Sequence, residues 1–446
     1  MRSLARVLVE QGWSLTGSDI SVESLSDIAD IGVLVVAGHS ADNVSKGVEL
    51  VIASDAIRSD NPELLRAAEL GIPQASYFEV LGQLMEAKRG VAIAGTHGKS
   101  TTTAMAARIM IDAGLDPTVV FGASPIGKIN GGRAGRGEAV LVEACEYRRN
   151  FLHLRPKTAV ILGIEPDHFD CYKSVDELEG AFAQFAGSVP DDGLLLVRQD
   201  CPASRRVTTL ASCCVETFGL FPGADWSARD LVECRGAYSF RIFKHGNFFC
   251  DVLLRVAGRH NVLNALAAAA VSWHNRAAVE HIVDGLRCFD GLSRRMEMVG
   301  TWEGVTFVDD YAHHPTEVNA TLATVRQLLP NRRVLCVFQP HQAIRTAKLL
   351  DELATSLQNV DMLLVDRIFR AREPKHRSGE VTAVDLAGRA RSLGVDVPNV
   401  HTPDEIVDLL RNRITDGDVV ITIGAGDVRK ICVAIIDKVK RMRAVG

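Results

Sequence analysis

With 446 residues, a net charge of −5, and 47% apolar against 24% charged residues, the chain reads as a soluble globular protein of two to four domains. This balance leaves no broad basic field for a nucleic-acid partner. Apolar runs such as 265–271 fall far short of the roughly 18 residues needed to cross a membrane. The ten cysteines are scattered, with no C-x-x-C pair, which argues against a metal knuckle or a secreted disulfide framework. The first residues lack the apolar core and cleavage site of a signal peptide, so reduced thiols in a cytoplasmic protein are expected.

In chain order, Leu4, Val7 and Leu8 mark an amphipathic helix stopped by Gly12, and 13–17 reads as a strand closed by Ser18 and Asp19. Apolar strands follow at 33–37 and 51–53, with a helix over 62–70 ended by Gly71. Asp19 fits the acidic end of the second strand in a dinucleotide-type unit, whose Gly-rich turn lies roughly 20 residues earlier. That turn would fall before Met1, so the expectation is a Rossmann-like first domain lacking its first strand and Gly-rich turn, with further residues preceding Met1 in the native protein.

A second unit opens with a strand at 91–94, a loop at 95–99 and a helix at 100–113. Strands at 139–142, 158–163 and 194–197 follow, together with a glycine- and basic-rich stretch, 122–138, expected to be an exposed loop, and a β-like segment at 237–256. A third unit has strands at 305–308, 334–338, 362–365 and 419–423, with helices over 315–329 and 403–414. Alternating strands and helices predict open parallel α/β sheets. The expected domains are 1–88, 89–292 and 293–446, each α/β: Rossmann-like, phosphate-loop ATPase, and Rossmann-like again.

Gly95-Thr96-His97-Gly98-Lys99-Ser100-Thr101 follows a strand and opens a helix. Glycines admit phosphate oxygens to backbone N–H groups, and the helix N-terminus adds positive potential. A lysine and a hydroxyl at Lys99 and Ser100 suit the β- and γ-phosphates and Mg²⁺. Ile93 stands where the strict Walker pattern has its first glycine, so a Gly-rich turn without nucleotide is the competing reading. Glu143 and His168 lie just beyond the 139–142 and 158–163 strands, where an α/β sheet delivers metal ligands; a surface carboxylate and a capping histidine are the bland alternatives.

Two further strand ends run into Asp309-Asp310-Tyr311-Ala312-His313-His314-Pro315 and Gln339-Pro340-His341-Gln342-Ala343-Ile344-Arg345-Thr346. Imidazoles with an arginine suit an amino acid, Arg345 taking its carboxylate. Arg294 and Arg295 offer charge for a phosphate, while Asn261 and Asn264 either read a base or cap their helix.

The segments GTHGKST, VEACEYRRNFL, GIEPDHFDCY, GRHNVLNALAA, LSRRMEMVG, DDYAHHPTEV and FQPHQAIRT, in this order and spacing, resemble the Mur ligase family over nearly the whole chain. FQPH with the Arg345-Thr346 pair points to the branch that joins L-alanine to UDP-N-acetylmuramate through an acyl phosphate. DDYAHHPTEV is also similar to the tripeptide-recycling branch, and a non-catalytic nucleotide-binding paralogue is a third reading. The resemblance implies ATP and Mg²⁺ as cofactors, and a monomer or homodimer. It implies ATP contacts from residues 95–101, Asn261, Asn264, Arg295 and Asp309, and metal contacts from Ser100, Glu143 and His168. Lys99, Tyr311, His313, His314, His341 and Arg345 would serve the reacting groups, and Asp19, His39, Ser54, Ala56 and Ile57 the uridine diphosphate. Three positions depart from the family pattern: Ala312 for glycine, Gln342 for arginine, and Tyr77-Phe78-Glu79 for Arg-Ala-Glu. The changes at Tyr77 and Gln342 are expected to bear on substrate grip and amino-acid choice and not to touch the ATP site.

Overall fold

The computed structural model describes residues 1–21, 26–124, 126, 131–371, 373 and 379–443. Its centre is a ten-stranded sheet. Seven neighbouring strands run parallel, in the spatial order Trp226–Cys234, Cys214–Gly219, Leu194–Arg198, Thr158–Ile161, Arg89–Ala94, Ala139–Glu143, Thr118–Val120. Ala237–Lys244 and Asn247–Leu254 extend one edge antiparallel, and Gly132–Arg133 the other. The middle strands are near-continuous apolar runs because helices cover both faces, and Ala92, Leu141 and Val160 are wholly buried. Helices Lys99–Asp112 and Arg259–His274 pack together on one face, and Tyr77–Glu86 and Val175–Gly187 lie on the other.

The C-terminal sheet has five strands in the order Glu297–Trp302, Val305–Asp310, Val419–Ile423, Val334–Phe338, Met362–Val365, antiparallel only at Glu297–Trp302. Three of its strands fall on the expected 334–338, 362–365 and 419–423. At the front of the chain, Thr16–Asp19 pairs with Leu34–Ala37, and Val51–Ala53 with Gln74–Ser76, as two separate parallel pairs. Parallel pairing in both is what a Rossmann-like unit requires. The strand expected at 13–17 lies at Thr16–Asp19 instead.

The expectation of an exposed loop at 122–138 needs correction. Residues 125 and 127–130 lie outside the described set, but Gly132–Arg133 is an edge strand and Gly132 is buried. A side chain at Gly132 would run into the backbone of Ser3, so glycine is what lets the first helix, Arg2–Glu10, seat on this edge. Leu4, Val7 and Leu8 of that helix join the core of the central sheet. All ten cysteines are free. Among the described residues, no helix is long and apolar enough to cross a membrane.

Candidate active site

Parallel α/β sheets deliver their strand C-termini to one edge. Here the edges of the central and C-terminal sheets face each other, and polar contacts cross the seam: Arg345 to Asp167, Thr316 to Glu165, His97 to Glu317 and His314 to the Pro166 carbonyl. Residues separated in sequence by as many as 220 positions meet there.

The phosphate loop follows Arg89–Ala94 and opens helix Lys99–Asp112. Gly98 caps that helix at φ +80°, and a side chain on it would strike Asn264 Oδ1. Asn264 accepts from Thr102 Oγ1 and donates to Asn261 Oδ1 at 3.0 Å, while Asn261 donates to the Ala257 carbonyl. Both amides are thus buried against the loop, and both are tied within the protein. Thr96 braces the loop against residue 165, its hydroxyl accepting from the Glu165 N–H at 2.9 Å. Thr101 is half-buried at the first turn.

Lys99 Nζ donates to the Gly95 and Thr96 carbonyls at 2.5 and 3.1 Å and to Glu146 at 3.0 Å. Ser100 Oγ donates to Glu143 at 2.8 Å, and the other Glu143 oxygen accepts from the Gly122 N–H. The structure thus brings together Ser100 and Glu143, the two residues expected to serve one Mg²⁺. His168 reaches the same neighbourhood through Glu146, with Nε2 3.1 Å from its carboxylate. Glu146 itself was not foreseen. It is 1% exposed, and while burial would push its carboxyl up, Lys99 and His168 hold it down at about 2. Burial and then the nearby Glu143 carboxylate push the Tyr77 phenol above its ordinary range.

Across the seam, Tyr311, His313 and His341 form a chain of edge-on ring contacts with centroids 5.7 and 5.6 Å apart. Arg345, 2% exposed, donates through Nε to Asp167 at 2.7 Å and through Nη1 to His341 Nδ1 at 2.6 Å. Burial, with Arg345 beside it, lowers His341 to about 3; burial lowers His313 to about 4. Both rings are neutral at physiological pH. For Asp167, burial acts upward, but Arg345 holds the carboxyl well below the usual carboxylate range. Asp167 is a second buried carboxylate of the seam to which sequence reasoning gave no role, although it sits beside His168.

Arg295 lies over the Tyr311 ring and 3.9 Å from Glu317. Asp309 is fully buried; its partners are Thr422, Arg294 and Arg429, all within the C-terminal unit. Ala312 is buried without a left-handed backbone, so nothing at this site demands the family's glycine. Gln342 does take a left-handed φ of +66° as it caps helix Ala343–Lys348.

In the first unit, Asp19 accepts from the Ser21 N–H, and His39 Nδ1 lies 3.0 Å from Ser18 Oγ. Ser54, Ala56 and Ile57 form a turn closed by Ser54. Asp55 in that turn takes Arg148 on its carbonyl and Asn150 on its carboxylate, which docks the turn on the segment carrying Glu146.

Three family profiles match in sequence: "Mur ligase family, catalytic domain" over residues 1–89, "Mur ligase middle domain" over 93–272, and "Mur ligase, glutamate ligase domain" over 294–426. A UDP-N-acetylmuramate–L-alanine ligase of Clostridium novyi is 40% identical over 97% of this chain and 93% of its own. Its namesake in Caldanaerobacter subterraneus is 38% identical over 99% and 96%. Among solved structures, a UDP-N-acetylmuramate–alanine ligase of Thermotoga maritima superposes with a TM-score of 0.82 at 24% identity, covering 99% of this chain and 96% of that one. A murein peptide ligase of Psychrobacter arcticus gives 0.73 at 22% identity, covering 98% and 96%.

Proposed function

Given that the chain belongs to the Mur ligase family, we propose that this site joins L-alanine to the lactyl carboxylate of UDP-N-acetylmuramate at the expense of ATP. In the reaction, the carboxylate oxygen bonds to the γ-phosphorus and the β–γ bridging bond breaks, giving ADP and an acyl phosphate. The alanine amine then bonds to the acyl carbon, the C–O bond to phosphate breaks, and the amine's surplus proton is released. This chemistry needs alignment and charge neutralisation more than a protein nucleophile.

The observation that carries the reading is the seam itself: a phosphate loop on one sheet edge faces a buried arginine and neutral imidazoles on the other. Backbone N–H groups of residues 95–101 would cradle the phosphates, with Lys99 exchanging its loop carbonyls for phosphate oxygens. Ser100 and Glu143 fit Mg²⁺ because they are hard oxygen donors already in mutual contact; His168 would hold a second ion. When bound, Mg²⁺ would neutralise charge on the transferring phosphoryl group. Arg345, held by Asp167, would orient the amino-acid carboxylate beside the neutral rings of His313 and His341.

Purified protein incubated with UDP-N-acetylmuramate, MgATP and single amino acids tests the reading by phosphate release. Release with L-alanine is expected. Release with L-alanyl-γ-D-glutamyl-diaminopimelate but not with L-alanine would move the protein to the recycling branch.

A further inference from the structure

His97 offers its backbone to the phosphate loop, but nothing in the chemistry above uses its ring. The ring points across the seam. Its Nε2 is buried without a hydrogen-bond partner, 3.5 Å from Glu165 Oε2. His314 Nδ1 lies 3.6 Å from the same oxygen, and the two rings sit 4.7 Å apart, tilted. The three ligand atoms all lie within 4.8 Å of one another, the one such His/Cys/Asp/Glu group among the described residues. A tetrahedral ion with bonds of about 2.0–2.1 Å sets its ligands about 3.3 Å apart, so two of the three edges already have the required length.

The surroundings favour a metal as well. A metal-bound imidazole is oriented by a hydrogen bond from its other nitrogen to a carboxylate or carbonyl. His97 Nδ1 is 3.1 Å from Glu317 Oε1, and His314 Nε2 is 3.3 Å from the Pro166 carbonyl. The first contact fixes the tautomer that leaves the His97 Nε2 lone pair facing Glu165; at His314 the Nδ1 lone pair also accepts from the Thr316 N–H at 3.4 Å, a long bond that an ion would replace. Thr316 Oγ1 anchors the Glu165 carboxylate at 2.5 Å. A proton on His97 Nε2 is the simplest alternative occupant: burial acts downward, but Glu317 and Glu165 raise His97 to about 9, so the ion binds by displacing that proton. Glu165 is 35% exposed on its side chain, which leaves a way in.

We propose that His97, Glu165 and His314 bind a divalent transition-metal ion of the Zn²⁺ class, at a site distinct from the Mg²⁺ residues Ser100, Glu143 and His168. Two imidazoles and one carboxylate suit zinc or cobalt over magnesium, and the set leaves a fourth position for water. The ion would bridge the phosphate loop and the loop that starts helix Pro315–Leu328, tying the central sheet to the C-terminal one.

Co²⁺ is the probe: its visible absorption reports coordination by nitrogen and a four-coordinate geometry. The full chain, without nucleotide and in excess Mg²⁺, should take up one equivalent of Co²⁺ with an intense visible band that Zn²⁺ abolishes. Glu165→Gln and His314→Gln should each weaken uptake at least tenfold. Glu317→Gln, which removes only an orienting partner, should weaken it about 10–100-fold. His168→Gln should leave the band intact. Melting curves of each variant identify any that fail to fold, and Glu317→Gln provides a test that spares the ligands themselves. No Co²⁺ band in excess Mg²⁺, or a band lost in His168→Gln and kept in Glu165→Gln, would overturn the proposal. Neither result depends on turnover, so either can occur with the ligase reading intact.

Discussion

Asp167→Ala tests whether the seam is an assembled site or a casual contact. Arg345 and Asp167 are 2% and 6% exposed and meet at 2.7 Å, and among the described residues the other side chain holding the guanidinium is His341. Removing one partner of a buried pair typically costs about 3–5 kcal/mol, because a charge is left without compensation. That figure applies in full only if Arg345 stays buried. The pair joins two different sheets, so the seam can part and let water reach the guanidinium, which caps the cost near that of opening. The expectation is therefore a modest fall in melting temperature together with a large loss in catalysis. A loss of about 3 kcal/mol in transition-state stabilisation is roughly a hundredfold in kcat/KM. It should appear mainly in the KM for L-alanine, whose carboxylate Arg345 would no longer be aligned to meet. Asp167→Asn keeps an acceptor without the charge and should fall in between. The assay is phosphate release against L-alanine concentration, with melting curves alongside. If Asp167→Ala leaves both kcat/KM for L-alanine and the melting temperature unchanged, Arg345 is not organised by this pair.

Three further outcomes follow from individual contacts. Lys99→Ala should abolish turnover in the same assay, since it removes the phosphate clamp and leaves buried Glu146 with His168 alone. Gly98→Ala forces a side chain into Asn264 at a left-handed backbone position, and should raise the KM for ATP at least tenfold in steady-state kinetics without affecting the first unit. In the C-terminal unit, Arg429 bonds Glu297 through both terminal nitrogens and holds its carboxyl at about 2, below the unfolded value of 4.5. A depressed carboxylate stabilises the fold above the unfolded pKa, and that contribution drains away as pH falls from about 4.5 towards 2. Allowing for solvent at the half-exposed Arg429, it is worth about 1–2 kcal/mol. The melting-temperature gap between wild type and Arg429→Ala should accordingly narrow from pH 7 to pH 3.5; a constant gap refutes the assignment.

The sequence showed most clearly what covalent neighbours decide. Val334–Phe338, Met362–Val365 and Val419–Ile423 are unbroken apolar runs because a parallel sheet buries both faces, and such runs are visible without any partner. Cys214–Gly219 and Trp226–Cys234 went unseen for the opposite reason. Trp226–Cys234 turns exposed and charged from Arg229 onward, so its pattern is that of a loop until its neighbours are known. The phosphate loop, Glu143 and His168 were legible because strand ends have fixed destinations in an α/β sheet. Glu146 and Asp167 were not, though each stands within three residues of a site that was read. What brings them into the candidate site is a cation supplied from elsewhere, Lys99 at 47 positions' distance and Arg345 at 178. A buried carboxylate is costly until its partner arrives, and only topology brings the partner. The same holds for Glu165 between His97 and His314. A histidine in a phosphate loop and one before a helix proline carry no shared signal in the chain. They become a candidate metal site only once two sheet edges, each readable alone, are set against one another.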